Sequence, residues 1–281
     1  MRISKASEWA CIVEAGTFKP GNIYPGREGF FDYVVSALLL GKTIERICKQ
    51  DTVHLGRFMK EAVLDRVTFV PSNTNFGIIV LFVPIAVAAS KKIDDLQKTV
   101  KKLIHETTAD DAVEFAEAVR VSNAFLGESK QGPDLRSEKV VTDIESGDYT
   151  LLDLFSVSSG WDTIAFEWVS GFCIIFEGAE YLISGGSVLD LYLQILCEYP
   201  DSLVQRKFGE EMARQVSRKA GILLKNFSFD ELKKWDNLLY RKGVNPGTTA
   251  DLVASSIFVA LLKREELLTT FLNTLYEGDS V

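Results

Sequence analysis

The chain has 281 residues, 47% of them hydrophobic and 25% charged, with a formal net charge of −8. That length and composition allow a full hydrophobic core and exclude a disordered chain. The acidic balance excludes a broad nucleic-acid surface, which needs clustered Lys and Arg, and it requires that an anionic ligand be held by local cations, helix ends or a metal.

The start, Met1 to Glu8, lacks an apolar h-region, so no secretory leader is expected and the chain reads as cytoplasmic. A helix is predicted over about Ala6 to Ala15, stopping at Gly16. Lys19-Pro20-Gly21-Asn22-Ile23-Tyr24-Pro25-Gly26 holds two proline turns too close together for a helix. Val34, Val35, Leu38, Leu39, Ile44 and Ile47 recur at helical spacing, which predicts a helix from about Phe30 to Cys48, and a further one covers Asp51 to Asp65. Pro71-Ser72-Asn73-Thr74-Asn75 then leads into a run from Phe76 to Ala89, interrupted only by Pro84. This run is apolar on every side and too short to span a bilayer, so it reads as a helix inside the protein. Lys91 to His105 is amphipathic, and Thr107-Thr108-Ala109-Asp110-Asp111 caps a helix that runs to about Asn123.

Gly127 to Thr150 reads as a loop. Helices are predicted at Leu151–Ser156, Trp161–Glu177, Ser187–Glu198, Asp201–Leu224, Phe229–Arg241 and Thr248–Tyr276. Phe172 to Phe176 has strand propensity but helical flanks, and is read as helix. The sum is an all-α chain of ten to twelve helices, a single multi-helical domain over residues 1–281 with central buried helices and no membrane span. Cys11, Cys48, Cys173 and Cys197 form no C-x-x-C pair and have mostly apolar neighbours, which predicts buried free thiols. Two histidines, His54 and His105, are too few for a usual zinc centre.

Two segments share one physical design. Asn73-Thr74-Asn75-Phe76-Gly77 and Asn245-Pro246-Gly247-Thr248-Thr249 each run from a polar turn into a strongly apolar helix. If those helices are buried, their free N–H groups point into a cleft and suit phosphate; the same pattern also suits plain, well-capped core helices. Pro200-Asp201-Ser202-Leu203-Val204-Gln205-Arg206-Lys207 starts a helix with a carboxylate and places two cations further on, an arrangement shared by surface salt-bridge faces. Asp32, Asp162 and Asp251 each sit among apolar or aromatic neighbours, where a carboxylate needs a partner or a ligand.

In this order, these segments resemble the triphosphoribosyl-dephospho-coenzyme A synthase family. The matching pieces are Lys19-Pro20-Gly21-Asn22, Asn73 to Ile79, Thr107 to Arg120, Leu151 to Gly171, Pro200 to Lys207 and Asn245 to Leu252, which together cover nearly the whole chain. One departure stands after the Lys-Pro-Gly turn. Bacterial members carry a histidine just before an aspartate there, and this chain has Gly29-Phe30-Phe31-Asp32-Tyr33.

The resemblance implies an all-helical transferase that moves a 5-triphosphoribosyl group from ATP to the ribose 2′-hydroxyl of 3′-dephospho-CoA, with release of adenine. It further implies ATP as a substrate and Mg²⁺ as its companion. Under it, Lys19, Arg206, Lys207 and the Gly247–Thr249 helix end hold phosphates. Asn22, Asn73, Asn75, Arg120, Asp201 and Asn245 complete the substrate-binding set. Asp32, Asp162 and Asp251 share the catalytic carboxylate roles, with Asp32 and Asp251 as Mg²⁺ ligands. Divergent relatives associated with pterin-type one-carbon carriers leave open a different phosphoribosyl or nucleotide transfer, and a non-catalytic nucleotide-binding protein is a further reading. The partners implied are small molecules, with no nucleic acid and no membrane; no dimer seam is visible.

Overall fold

A computed structural model describes residues 1–91, 95–125 and 132–278. Among them are sixteen helices and no strands, so the all-α reading holds and the count of ten to twelve is corrected upward. The first six helices are α1 (Ile3–Gly16), α2 (Phe30–Ile47), α3 (Leu55–Phe69), α4 (Phe76–Lys91), α5 (Leu96–His105) and α6 (Ala109–Ser122). Of the predicted Lys91–His105 helix, residues 92–94 lie outside the described residues, as does Gly127. The Gly127–Thr150 stretch is not all loop, because α7 (Val140–Gly147) forms within it around buried Val140 and Ile144.

Three long predicted helices are each two helices. Trp161–Glu177 divides into α9 (Thr163–Ser170) and α10 (Cys173–Ile183), after α8 (Leu151–Ser158). Gly171 and Phe172 both take left-handed backbone between them, at φ 76° and 64°. Glu167, fully buried, makes that break tolerable by accepting the backbone N–H groups of Ile174 at 3.0 Å and Ile175 at 2.9 Å, so the second helix starts with its donors satisfied. Asp201–Leu224 divides at Gly209 into α12 (Ser202–Phe208) and α13 (Glu210–Lys225), after α11 (Val188–Glu198). Past α14 (Phe229–Arg241), the last predicted helix divides into α15 (Gly247–Lys263) and α16 (Leu267–Gly278).

Two helices form the centre. In α4 every residue from Gly77 to Ala89 is buried, and in α15 all from Thr248 to Leu261 are buried except Asp251. They pack on each other, with Phe82 stacked on Phe258 at 4.5 Å between ring centroids, and α1 and α10 also pack on α15. Small residues bring these helices close. The hydroxyls of Ser255 and Ser256 return to the carbonyls of Asp251 and Leu252 at 2.8 and 2.9 Å, so they enter the core without unpaired groups. Burial of this kind is worth about 1.5–3 kcal/mol for each Val, Leu, Ile or Phe. Such a centre leaves the first turns of α4 and α15 as the places where polar groups meet. Among the described residues no single helix is long and apolar enough to cross a membrane. The thiols are free, as expected, but Cys197 is exposed and Cys48 and Cys173 are only partly buried.

Candidate active site

The first turns of α4 and α15 open into one cavity of about 880 Å³. The end of α1, the start of α9, α12, and residues around 123–125 and 133–135 complete its walls. Of the residues expected from the sequence, Asn22, Asn73, Asn75, Asp162, Arg206, Lys207, Asn245, Gly247, Thr248 and Asp251 line it. Lys19, Asp32, Arg120, Asp201 and Thr249 do not.

Asp251 sits at the cavity floor. Gly77 of α4 lies against it so closely that any added Cβ would fall inside contact distance of its Oδ2 and 2.7 Å from its Cγ. The carboxyl borders the cavity yet is surrounded by protein. Its pKa is held well above the usual carboxylate range, first by desolvation, then by the negative charges of Glu14 and Asp201, with Arg206 opposing.

Asp162 is engaged on both oxygens. Its Oδ1 caps α9 by accepting from Ile164 N at 2.9 Å and Ala165 N at 3.2 Å, and its Oδ2 accepts a hydrogen bond from Arg206 Nη1. Arg206 keeps a buried Nε with no acceptor, and Lys207 beside it is exposed at the cavity wall.

Glu14 is the residue that sequence reasoning missed. It lines the cavity while being only 2% exposed. A signal existed: Ser7, Ala10, Cys11 and Glu14 lie one helical turn apart along the buried face of α1, so a carboxylate continues an inward stripe. Tyr33, another lining residue, went unremarked for the same reason.

Lys19 requires a correction. It is fully buried, and its ammonium donates to the carbonyls of Glu14, Thr17 and Ile23 rather than facing the cavity. Its Nζ lies 3.0 Å from Glu14 Oε1, an oxygen that accepts no hydrogen bond. Burial pushes the Glu14 carboxyl up and the Lys19 ammonium down, and their attraction opposes both shifts. Lys19 therefore steadies a cavity carboxylate, and its donors are not free for phosphate.

Asp201 and Thr249 also hold the protein rather than face the cavity. Asp201 Oδ1 accepts from Val204 N at 2.9 Å, and its Oδ2 accepts from Thr249 N at 2.8 Å and Thr249 Oγ1 at 2.9 Å. One buried carboxylate thus caps α12 and α15 together and fixes Arg206 relative to Thr248. Asp201→Asn is expected to lower stability by about 1.5–3 kcal/mol and to change the KM for ATP less than threefold (about 0.6 kcal/mol or less); denaturant melts with steady-state kinetics check this.

Arg120 is exposed and among the described residues donates only to Ser137 O, at 3.4 Å. Asp32 is partly buried outside the lining, where Ser72 Oγ donates to its Oδ2 at 3.2 Å. It is therefore not paired with Asp251. Among the described residues no group of three or more His, Cys, Asp or Glu could hold a metal ion.

The two polar turns are tied to each other. Asn22 Nδ2 donates to Asn245 Oδ1 at 2.9 Å, while Asp236 accepts from Gly21 N at 2.9 Å and Tyr24 OH at 2.7 Å. Gly21, at φ 79°, has Val244 O 2.9 Å from where a Cβ would stand, so only glycine fits this turn.

Residues 1–270 match the family described as ATP:dephospho-CoA triphosphoribosyl transferase. The chain is also similar to the crystal structure of a proposed triphosphoribosyl-dephospho-coA synthase from Archaeoglobus fulgidus. The identity is 29% and the TM-score 0.70, over 82% of this chain and 99% of that one. No curated protein matches.

Proposed function

The chain belongs to the ATP:dephospho-CoA triphosphoribosyl transferase family, and from that premise we propose that this enzyme moves the 5-triphosphoribosyl group of ATP to the ribose 2′-hydroxyl of 3′-dephospho-CoA. In this reaction the hydroxyl oxygen bonds to C1′ of the ATP ribose and the C1′–N9 bond breaks. The electron pair goes to adenine, the hydroxyl proton goes to a base, and adenine takes up a proton and leaves neutral.

One observation carries the reading: two carboxyls, Glu14 with a lysine partner and Asp251 without a cation bonded to it among the described residues, share a cavity with two cations. Asp251, whose pKa desolvation raises well above the usual carboxylate range, suits the acid that protonates the departing base. Glu14, a cavity-lining carboxylate braced by Lys19, suits the base that takes the hydroxyl proton. Asp162 caps α9 and pairs with Arg206, so it positions that arginine. Arg206, Lys207 and the Gly247–Thr248 end of α15 supply donors for the triphosphate.

The protein's own residues do not fit a resident metal, since Asp32 stands apart from Asp251 and no acidic cluster forms among the described residues. Mg²⁺ enters this reading only as the companion of the triphosphate, coordinated by phosphate oxygens and water. Chelation with EDTA is then expected to reduce turnover while leaving the melting temperature of the ligand-free protein unchanged.

The direct test is mass spectrometry of products from ATP with dephospho-CoA and a panel of other alcohols. Free adenine formed only when dephospho-CoA is present supports the proposal. ATP turnover without adenine, or adenine formed only with a different acceptor, would sink it.

A further inference from the structure

Asn75 ends the loop before α4 and is 4% exposed, yet among the described residues neither its Nδ2 nor its Oδ1 has a hydrogen-bond partner. A buried amide in that state is destabilising unless something else completes it. Its neighbours are already engaged: Asn73 Oδ1 accepts from Phe76 N at 3.1 Å, and Thr74 Oγ1 lies 2.6 Å from Ser36 Oγ. Asn75 thus offers the cavity, whose wall it forms, an adjacent donor and acceptor that nothing else among the described residues uses.

The wall beside it is aromatic. Phe76 stacks on Phe115 with ring centroids 6.0 Å apart, and Phe115 meets Phe155 at 5.2 Å; all three line the cavity. A planar ring lying on such a wall, with an amino group next to a ring nitrogen at its edge, satisfies both halves of the amide at once. This is the pairing that an Asn side chain makes with adenine, and stacking on an aromatic face supports it.

We infer that Asn75 recognises the adenine of the donor nucleotide, pairing with its 6-amino group and an adjacent ring nitrogen while Phe76 supports the ring. The inference rests on the proposed reaction for the identity of the base. The donor's adenine is assigned rather than the acceptor's because Gly77, two residues on, touches Asp251. A base held by Asn75 therefore lies beside the first turn of α4, against which the Asp251 carboxyl packs, and only the donor's base leaves.

The test is equilibrium binding, without acceptor, of ATP and of purine riboside triphosphate, which lacks the 6-amino group. Wild-type protein is expected to bind the analogue roughly 10- to 100-fold more weakly. Asn75→Ala is expected to bind ATP about as weakly as wild type binds the analogue, and to distinguish the two no longer. Equal binding of both nucleotides by wild type overturns the inference, and so does an Asn75→Ala protein that still prefers ATP. The wild-type comparison stands even where the variant fails to fold. Discrimination without any adenine release would sink the transfer reaction and leave Asn75 in its role; equally efficient transfer from both nucleotides would do the reverse.

Discussion

Asp251→Asn is expected to lower turnover by about 10²- to 10⁴-fold while the fold and the affinity for ATP persist. An amide keeps the shape and the donor of a protonated carboxyl but has no proton to give to departing adenine. Little structural change should accompany the swap, because the Asp251 side chain makes no hydrogen bond or ion pair among the described residues, and its burial already favours a neutral group.

The pH dependence gives the sign. Asp251 acts as an acid only while protonated, so wild-type turnover should fall as pH rises through its elevated pKa, and the variant should lack that alkaline limb. Stability should move as well. A carboxyl whose folded pKa is raised contributes fully below its unfolded value of 3.8, and that contribution is lost as pH rises through the folded pKa. Asn does not titrate, so Asp251→Asn should melt higher than wild type at neutral and alkaline pH, but not at pH 3. A variant with wild-type turnover, or one whose ATP affinity collapses together with its activity, would remove Asp251 from the acid's role.

Gly77→Ala should harm both fold and activity, although alanine is the better helix former. The new Cβ would meet Asp251 Oδ2 inside contact distance, with Asp251 Cγ at 2.7 Å and Ile164 Cδ1 at 2.8 Å. Those atoms belong to α15 and α9, so relief requires moving the carboxyl or separating central helices. Overpacking of this kind costs about 1–3 kcal/mol, against a helix-propensity gain of about 1 kcal/mol. A displacement near 1 Å at a reacting carboxyl lowers turnover by roughly 10²-fold. Gly160→Ala is the matching control. Nothing lies within 4 Å of its added Cβ, so denaturant melts and kcat should match wild type. If Gly77→Ala behaves like Gly160→Ala, the packing of α4 on Asp251 is looser than described.

The proposed division of labour between carboxyls comes from burial rather than residue type. Asp162 and Asp251 look alike in the sequence, each set among apolar neighbours. In the folded chain Asp162 is used up by two N–H donors and Arg206, whereas Asp251 makes no such bond. Asp201, which accepts three hydrogen bonds from α12 and α15, is a third case of the same residue holding structure together.

Some features were decided by the sequence alone. The all-round apolar runs beginning at Phe76 and Gly247 could only be buried helices, because no exposed helix tolerates such a surface. Their polar N-terminal turns carry the first N–H groups of those helices, which need acceptors from caps, from one another or from a ligand. The Asn245–Asp251 segment was readable for that reason, and it carries four of the cavity-lining residues, Asn245, Gly247, Thr248 and Asp251, besides Ala250.

Only the tertiary structure decided the rest. The helix breaks at Gly171–Phe172 and Gly209 depend on what the second helix packs against; Glu167 reaches across seven residues to complete the first of them, and local pattern does not register that bond. Lys19 and Arg206 are both cations beside turns, but Lys19 is enclosed by three carbonyls and Glu14, while Arg206 opens on the cavity. Whether a charged or polar side chain serves a ligand or its own backbone depends on which acceptors the fold brings within about 3 Å, and sequence spacing alone does not carry that information.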